Sequence, residues 1–264
     1  MLQKLFRVNS YLKYVLKRKG RHKIHSPFVY DLYNKVLHDH SNYSDYTLIM
    51  KSLKNTLSNR NVIETVDFGA AAGNKEFATY RARVGEITKK RTLRIKYLKL
   101  LYRIVHFFNP ENILEFGTST GNSTVSLALG NRNARVVTME GCASVASVAQ
   151  DNFDRLQLKN VKIVIGNFNI LLASTLNDFE RLDLVFFDGN HKKKPTLDYF
   201  NHCLTKADEN TVFIFDDIHW SEEMEESWEI IKSNNSVSLS IDLYQFGLVF
   251  FKKGIEKQHF VLSI

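Results

Sequence analysis

The sequence predicts an α/β fold with a doubly wound, mostly parallel sheet, because three of its patterns agree. Short apolar and β-branched runs alternate with helical segments between residues 112 and 216. Several of these runs end at an acidic side chain. Two β-rich runs near residue 240 are separated by a short link, which is typical of an antiparallel hairpin. Five parallel strands and this hairpin make a predicted sheet of seven strands.

The predicted elements follow one another in a simple order. A basic, mainly helical lead-in or lid occupies residues 1–92, and the main domain occupies residues 93–264. Pro110 separates the last helix of this region from the first strand. The predicted strands cover residues 112–116, 135–140, 161–165, 182–187 and 211–215, and those of the hairpin cover residues 237–243 and 246–251.

The loop after the first predicted strand carries two glycines, Gly117 and Gly121. Glycine turns sharply at little cost and leaves room for a ligand to touch the backbone. Ser119 and Ser123 can cap the helix that follows. Glu140 ends the second strand, where folds of this type place a carboxylate for ribose hydroxyls. The loop is therefore predicted to hold a nucleotide or nucleoside.

This loop and the acid after the second strand resemble a class I methyltransferase that uses S-adenosylmethionine. A dinucleotide-binding loop has the spacing G-x-G-x-x-G, whereas this loop has G-x-x-x-G preceded by an acid. The resemblance covers about residues 93–253 and implies a Rossmann-like fold with a final antiparallel hairpin. The cofactor contacts it implies are Glu115, Gly117, Thr118, Ser119, Gly121, Ser123, Glu140, Gly141, Asn167 and Asp188.

Asn167 departs from the family's pattern. Many related enzymes have an aspartate after the third strand, where it binds the adenine amino group, and Asn167 stands here. An asparagine carbonyl can still accept a hydrogen bond from that amine. The implied role is weakened but not lost.

A second glycine motif, at residues 66–73, has the same acid and glycine pattern after an apolar stretch. A basic, helix-like run from residue 76 to residue 108 follows it, and no acid-tipped strand precedes residue 115. Short motifs without such context are unreliable. We therefore interpret residues 66–73 as a lead-in loop that folds over the site.

Acidic side chains close the fourth and fifth predicted strands. Asp188 and His191 follow the fourth strand, and Asp216 and Asp217 follow the fifth. Because parallel strands end at one edge of a sheet, we expect these groups to lie close together. Two carboxylates about 4 Å apart repel by roughly 4 kcal/mol at an effective dielectric near 20, so the cluster should hold a proton or a cation. Oxygen ligands favour a hard ion such as Mg²⁺.

This acidic cluster resembles that of metal-dependent O-methyltransferases of the catechol type and, more closely, the macrocin type. The resemblance implies that Asp188, Asp216 and Asp217 bind the metal. It also implies catalytic roles for Asp188 and for His191, which takes the proton from the substrate hydroxyl. Other interpretations stay open: Asp188 touches only the methionine end of the cofactor, the aspartate pair caps a helix beginning near Ser221, and His191 belongs to a solvated basic loop.

The favoured function is methyl transfer from S-adenosylmethionine to a small hydroxylated substrate, assisted by Mg²⁺ or another divalent cation. One alternative is a metal-independent methyltransferase acting on nitrogen, RNA or protein. Another is a catalytically idle module that only binds S-adenosylmethionine. The sequence does not identify the acceptor, and Trp220 and His219 either line its pocket or pack in the core.

The charge is concentrated at the start of the chain. Residues 1–30 contain eight Lys or Arg and no acid, and the net charge of the whole chain is +8. Apolar residues such as Leu5, Leu12 and Leu16 lie among these cations, which predicts an amphipathic helix. It either docks on the domain with a solvated basic face or lies on an anionic membrane or nucleic acid. Docking is the preferred interpretation, and residues 22–30 would then roof the active site.

Composition sets the remaining expectations. A chain of 264 residues with 44% hydrophobic content can bury a full core. The first 30 residues lack the apolar core of a signal peptide, and no stretch approaches the roughly 18 apolar residues needed to span a bilayer. Cys142 and Cys203 have neither metal nor disulfide spacing, which suits a reducing compartment. We expect a cytoplasmic protein whose hairpin edge offers a surface for a homodimer.

Overall fold

The computed structural model describes residues 2–67 and 78–264, and it divides into two compact units. The terminal unit comprises the chain up to residue 39 and from residue 179 onward, and the central unit comprises residues 40–178. The predicted boundary near residue 92 concerns function rather than compactness, and it stays a prediction. Most of the second glycine motif, residues 68–73, lies outside the described residues.

The lead-in contains helices and a β-hairpin. Its elements are α1 (Leu2–Lys17), a 3-10 turn (Arg21–Lys23), α2 (Pro27–Leu32), a π-helical segment (Tyr33–Leu37), α3 (Tyr46–Ser58), β1 (Val62–Asp67), β2 (Ala78–Arg83), α4 (Val84–Arg91) and α5 (Ile95–Phe108). Asn109 ends α5 in the left-handed conformation, with φ of 48°, and Pro110 follows it. This confirms the predicted break before the first parallel strand.

From residue 112 onward, strands and helices alternate as predicted. The elements are β3 (Asn112–Phe116), α6 (Asn122–Gly130), β4 (Arg135–Glu140), α7 (Ala143–Arg155), β5 (Val161–Ile165), α8 (Phe168–Asn177), β6 (Leu184–Phe187), α9 (Lys193–Leu204), β7 (Val212–Asp216), α10 (Glu222–Ser233), β8 (Leu239–Asp242), β9 (Phe246–Phe250) and β10 (Gln258–Val261). All seven predicted strands are present, with ends that differ by no more than two residues.

The helix predicted over residues 76–108 is wrong for residues 78–83. These residues form β2, which pairs antiparallel with β1 and places Val62 opposite Arg83. Their sequence alternates Ala or Tyr with Thr or Arg, which is a period of two and typical of a strand. The high content of basic residues hid this period, whereas α4 and α5 are helical as predicted.

The central unit contains three parallel strands in the order β3, β4, β5. The side chains of Ile113, Leu114 and Phe116 on β3 are fully buried. Helix α6 is buried along its whole length, and its last residue, Gly130, lies against α5. A Cβ at Gly130 would lie 2.6 Å from the Val105 Cβ, so only glycine allows this approach. The first strand of the parallel series therefore lies in a tightly packed core.

The terminal unit contains five strands in the order β10, β8, β9, β7, β6. Strands β6 and β7 are parallel, and β8 and β9 form the predicted antiparallel hairpin, with β9 pairing antiparallel with β7. Short strand β10 pairs with β8 and adds an eighth strand that was not predicted. It pairs along the outer edge of the hairpin, and the predicted homodimer stays a prediction.

Two helices of the terminal unit begin at a serine that caps them. Ser26 caps α2 by accepting a hydrogen bond from the Val29 backbone N–H, and Pro27 follows it. Ser221 caps α10 through the Met224 backbone N–H, and three acids lie in the first turn of that helix. Among the helices of the described residues, none has the length and apolar content needed to cross a membrane.

Candidate active site

The glycine loop between β3 and α6 has the predicted left-handed backbone. Gly117 has φ of 94° and Gly121 has φ of 84°, and Ser119 between them has φ of 47°. A Cβ at Gly121 would lie 2.6 Å from Cε1 of Phe153 on α7. Both the φ value and the close approach of the Phe153 ring therefore require glycine at position 121.

Substituting Gly121→Ala is expected to lower the free energy of unfolding by about 2–4 kcal/mol, since it adds backbone strain to a clash. Gly254→Ala is the matched control, because Gly254 has φ of 72° and no atom within 4 Å of its ideal Cβ. Urea unfolding of both variants separates the cost of backbone strain, which both variants share, from the cost of the clash with the Phe153 ring, which only Gly121→Ala has. Equal losses would show that the Phe153 ring moves aside without cost.

Glu115 is the most deeply buried acid of the loop region. Its Oε2 accepts hydrogen bonds from the hydroxyls of Thr124, at 2.5 Å, and Thr138, at 2.6 Å. Burial raises the pKa of Glu115 to about 7, although hydroxyl donors oppose this shift. Oε1 is buried and has no partner among the described residues. The Ser123 hydroxyl is a third donor whose hydrogen bond opposes the rise in the pKa of this carboxylate, so the acid is held mainly by the protein.

Glu140 holds the loop in place through both of its oxygens. Oε2 accepts a 2.8 Å hydrogen bond from the Ser119 backbone N–H, and Oε1 accepts a 2.9 Å bond from the Cys142 backbone N–H. Burial raises the pKa of Glu140, and the bonds from Cys142 and Ser119 oppose that rise. The Gly141 backbone N–H is a third donor to this carboxylate, which leaves one lone pair that can accept from a ribose hydroxyl.

The other predicted cofactor residues of the central unit line the same strand ends. The Thr118 and Thr138 hydroxyls are 2.7 Å apart, and the Ser119 Oγ is buried without a partner among the described residues. Asn167 Oδ1 caps α8 by accepting from the Asn169 backbone N–H. Only the second lone pair of Oδ1 therefore remains for the adenine amine.

A buried polar network supports the start of α6, and the sequence interpretation missed it. Ser52 Oγ on α3 donates to Asn122 Oδ1 at 2.7 Å and accepts from Asn152 Nδ2 on α7 at 2.7 Å. Asn122 Nδ2 donates to Thr56 Oγ1 and to Thr120 Oγ1. Ser52 and Thr56 are one helical turn apart on α3, and this spacing was the available signal. The network ties the lead-in to the cofactor loop.

Replacing Ser52 by Ala is expected to destabilise the protein by about 2–3 kcal/mol, because the buried Asn122 Oδ1 loses its short hydrogen bond and Asn152 Nδ2 loses its acceptor. We also expect weaker binding of S-adenosylhomocysteine, since Asn122 begins the helix after the loop. Ser58→Ala is the control on the same helix, because Ser58 is exposed. Thermal unfolding and calorimetric titration test both effects, and equal behaviour of the two variants would contradict a role for the network.

The acidic cluster of the terminal unit brings together Asp188, His191 and Asp216. One ligand atom from each lies within 4.8 Å of the others. His191 Nε2 is 3.4 Å from Asp188 Oδ1. His191 and its neighbour Asn190 have positive φ values of 39° and 72°. Such backbone conformations cost energy for residues other than glycine, and they cluster at functional sites.

Asp217 is placed beside this cluster by a residue that the sequence interpretation missed. Gln245 Nε2, in the hairpin turn, donates to Asp216 Oδ1 at 2.6 Å and to Asp217 Oδ1 at 2.7 Å. Asp217 is not among the three residues whose ligand atoms converge. The aspartate pair does not cap α10, because Ser221 does so. That alternative is therefore wrong.

Asp216 carries the strongest electrostatic perturbation of the cluster. Its side chain is buried, and burial raises its pKa well above the ordinary value of 3.8. The charges of Asp217 and Asp188 add to this rise, while His191 and the Gln245 hydrogen bond oppose it. A cation would remove the repulsion between these carboxylates.

His219 and Trp220 pack within the terminal unit. His219 Nδ1 and Nε2 each lie 2.9 Å from a carboxylate, that of Glu225 and that of Asp242. Burial disfavours the charged ring, but these two carboxylates outweigh it and raise the pKa of His219. Arg7 of α1 lies 4.3 Å over the Trp220 ring. These contacts favour packing over pocket lining for both residues.

Comparison with known proteins gives matches on the same elements. Residues 114–218 match a family described as a methyltransferase domain. The catechol O-methyltransferase of Niastella koreensis is 32% identical over 126 residues, which cover 47% of this chain. The match spans 55% of the length of that curated relative.

Solved structures share the fold. An O-methyltransferase from Bacillus cereus in complex with S-adenosylhomocysteine has a TM-score of 0.56 and 19% identity, covering 84% of this chain and 95% of its own. The O-methyltransferase TomG from Streptomyces achromogenes, in complex with S-adenosylmethionine, has a TM-score of 0.55 and 17% identity, covering 89% and 99%. The alternating, mostly parallel architecture is thus that of Rossmann-like methyltransferases. Residues 114–218 are therefore similar to a methyltransferase domain, on a fold that the solved structures share.

Proposed function

We propose that this chain transfers the methyl group of S-adenosylmethionine to a hydroxyl oxygen of a small substrate, with a divalent cation at its acidic cluster. The grouping of Asp188, His191 and Asp216 carries this proposal. A cofactor loop does not by itself require a cluster of two aspartates and a histidine in which one aspartate, Asp216, is buried. Similarity to a catechol O-methyltransferase over 126 residues supports oxygen as the acceptor atom.

The cofactor part of the proposal rests on the glycine loop. Glu115 Oε1 and Ser119 Oγ are buried polar atoms without partners among the described residues, and such atoms are costly unless a ligand meets them. S-adenosylmethionine offers an amino group, two ribose hydroxyls and a positive sulfonium. The acids Glu115 and Glu140 complement these groups in charge and in hydrogen bonding.

The proposed base is His191. The substrate oxygen forms a bond to the methyl carbon while the carbon–sulfur bond breaks, and its electron pair stays on sulfur to give S-adenosylhomocysteine. The hydroxyl proton passes to His191, and Asp188, 3.4 Å away, orients the ring and stabilises its charged form. We assign His191 the proton because oxygen ligands suit Mg²⁺ better than imidazole does.

The proposed ion ligands are Asp188 and Asp216, with Asp217 added on the family resemblance. A bound divalent cation would lower the pKa of the substrate hydroxyl. The raised pKa of Asp216 and the repulsion among the acids fit such an ion. The proposed proton transfer to His191 does not depend on which of these carboxylate oxygens would bind the ion.

A turnover assay tests the function. Purified protein is given S-adenosylmethionine and a panel of phenols, catechols and sugars, with Mg²⁺ or with a chelator, and S-adenosylhomocysteine is measured. We expect turnover on a hydroxylated substrate, loss with the chelator, and recovery when Mg²⁺ is restored. Activity on RNA or peptides that survives chelation would favour the metal-independent alternative. Cofactor binding without turnover on any acceptor would favour the idle module.

Three further expectations belong to this proposal. The lead-in, residues 1–92, is proposed as a lid that selects the substrate. A cytoplasmic location is proposed, and the free thiols of Cys142 and Cys203 support it. A homodimer is also proposed, and light scattering of the purified protein tests for it.

A further inference from the structure

Helix α1 is anchored to the terminal unit by one of its faces. Ser10 and Tyr14 are buried on that face. Ser10 Oγ donates to Glu225 Oε1 at 2.6 Å, and the Tyr14 hydroxyl donates to the Leu262 carbonyl oxygen at 2.6 Å. The Tyr244 hydroxyl donates to the Arg7 carbonyl oxygen at 3.0 Å. These contacts fix which side of α1 faces outward.

The outward face of α1 is apolar along its length. Leu5, Val8, Leu12 and Leu16 are between 56% and 86% exposed. Their spacing of three, four and four residues confines them to about 80° of the helix circumference, roughly opposite Ser10 and Tyr14. Single exposed apolar residues are ordinary, but a continuous stripe of large ones marks an interaction surface.

Cations border this stripe. Lys4 lies on one side of it, and Lys13 and Lys17 lie on the other, all three exposed. No acid occurs in residues 1–30. A helix with a central apolar stripe and flanking lysines is complementary to an anionic interface, where phosphates meet acyl chains.

Charge and polarity separate this partner from two others. RNA offers phosphates to the lysines, but its backbone has no apolar surface to cover the four outward aliphatic side chains. A second copy of α1 could cover the stripe, but it would bring the lysines of both copies together. An anionic bilayer offers acyl chains to the apolar stripe and phosphates to the lysines at the same time.

We propose that α1 binds the surface of an anionic lipid bilayer. The helix lies in the plane of the interface, with Leu5, Val8, Leu12 and Leu16 among the upper acyl chains and the lysines on lipid phosphates. Its 16 residues extend about 24 Å along the surface. The enzyme would then meet its substrate at the membrane surface.

Vesicle flotation tests this proposal. The full chain is mixed with phosphatidylcholine vesicles, with or without roughly one-third phosphatidylglycerol. We expect flotation only with the anionic vesicles, and a reduction of about tenfold in the bound fraction for the double variant Leu12→Glu, Leu16→Glu. Ile170→Glu is the matched control, because Ile170 is 73% exposed on α8 of the central unit, and it should float like the wild type.

A second variant separates charge from apolar insertion. Lys4→Glu with Lys13→Glu should abolish binding to anionic vesicles while S-adenosylhomocysteine binding shows that the protein is folded. The proposal is overturned if the wild type does not float, or if the leucine variant floats as well as the wild type. Conversion of a dimer to a monomer by the leucine variant without any flotation would overturn it in favour of a second copy. Retention on RNA that the lysine variant loses, again without flotation, would overturn it in favour of nucleic acid.

Discussion

Replacing His191 by Asn is expected to lower kcat by about 10²–10⁴-fold, because it removes the proposed base for the hydroxyl proton. Asparagine is the informative substitution, since His191 has φ of 39° and asparagine tolerates the left-handed region better than alanine does. The affinity for S-adenosylhomocysteine should stay unchanged, because the cofactor loop belongs to the central unit and does not include residue 191.

The pH profile of kcat distinguishes a base from a structural residue. The pH dependence of kcat should differ between the wild type and the Asn variant, because only the wild type has an ionisable side chain at position 191. His202→Asn is the control, because His202 is an exposed histidine on α9 of the same unit. A variant at position 191 with full kcat and the same pH profile would remove His191 from the mechanism.

Replacing Asp216 by Asn is expected to stabilise the metal-free protein at pH 7 by about 1–3 kcal/mol and to abolish stabilisation by Mg²⁺. Burial and the charges of Asp217 and Asp188 raise the pKa of Asp216 above its ordinary value of 3.8. Its contribution to stability is therefore greatest below pH 3.8 and is lost as the pH rises through the folded-state pKa. Asparagine cannot ionise, keeps an oxygen for Gln245, and removes this loss.

Thermal unfolding between pH 5 and pH 8, with and without Mg²⁺, measures both effects. The wild type should lose stability with rising pH more steeply than the Asn variant, and Mg²⁺ should restore it only in the wild type. Glu115, whose pKa is raised to about 7, contributes a slope of the same sign to both proteins and cancels in the comparison. A pH dependence that is identical in the two proteins would contradict a buried charge at position 216.

Asp217→Asn identifies the ligand set. The atoms that converge belong to Asp188, His191 and Asp216, whereas the family resemblance names Asp217 as a ligand. If Asp217→Asn keeps the Mg²⁺ response that Asp216→Asn loses, the converging atoms hold the ion. If the Asp217 variant also loses the response, Asp217 is a ligand and the cluster rearranges when the ion binds.

Much of the fold could be predicted because its signals are local. Strands β3, β4 and β7 are short apolar runs flanked by polar turns, and the period of a strand is visible within five residues. Strand β2 was missed because basic side chains occupy its outward positions. Strand β10 was missed because it has only four residues, of which the first two are polar, and so shows little periodicity. Both strands form only where a neighbouring strand pairs with them, which short sequence patterns do not reveal.

Within the acidic cluster, the residue types and their proximity could be predicted, but the atoms that converge could not. Asp188, His191, Asp216 and Asp217 all follow strand ends, which the chain order reveals. Gln245 comes from a hairpin turn 28 residues beyond Asp217, and it bonds to both neighbouring aspartates. Which oxygens converge depends on backbone angles such as the φ of 55° at Asp217, and no pattern of residue types specifies such an angle.

The sequence by itself determined the order of strands and helices, the glycine turn at residues 117–121 and the concentration of acids after β6 and β7. These features follow from hydrophobic periodicity and from the backbone preferences of single residues, which act over a few positions. Only the tertiary structure decided that Ser52 supports Asn122, 70 residues away, and that the leucines of α1 face outward. Such contacts join residues that are distant in the chain, so their energies exist only after the chain has folded.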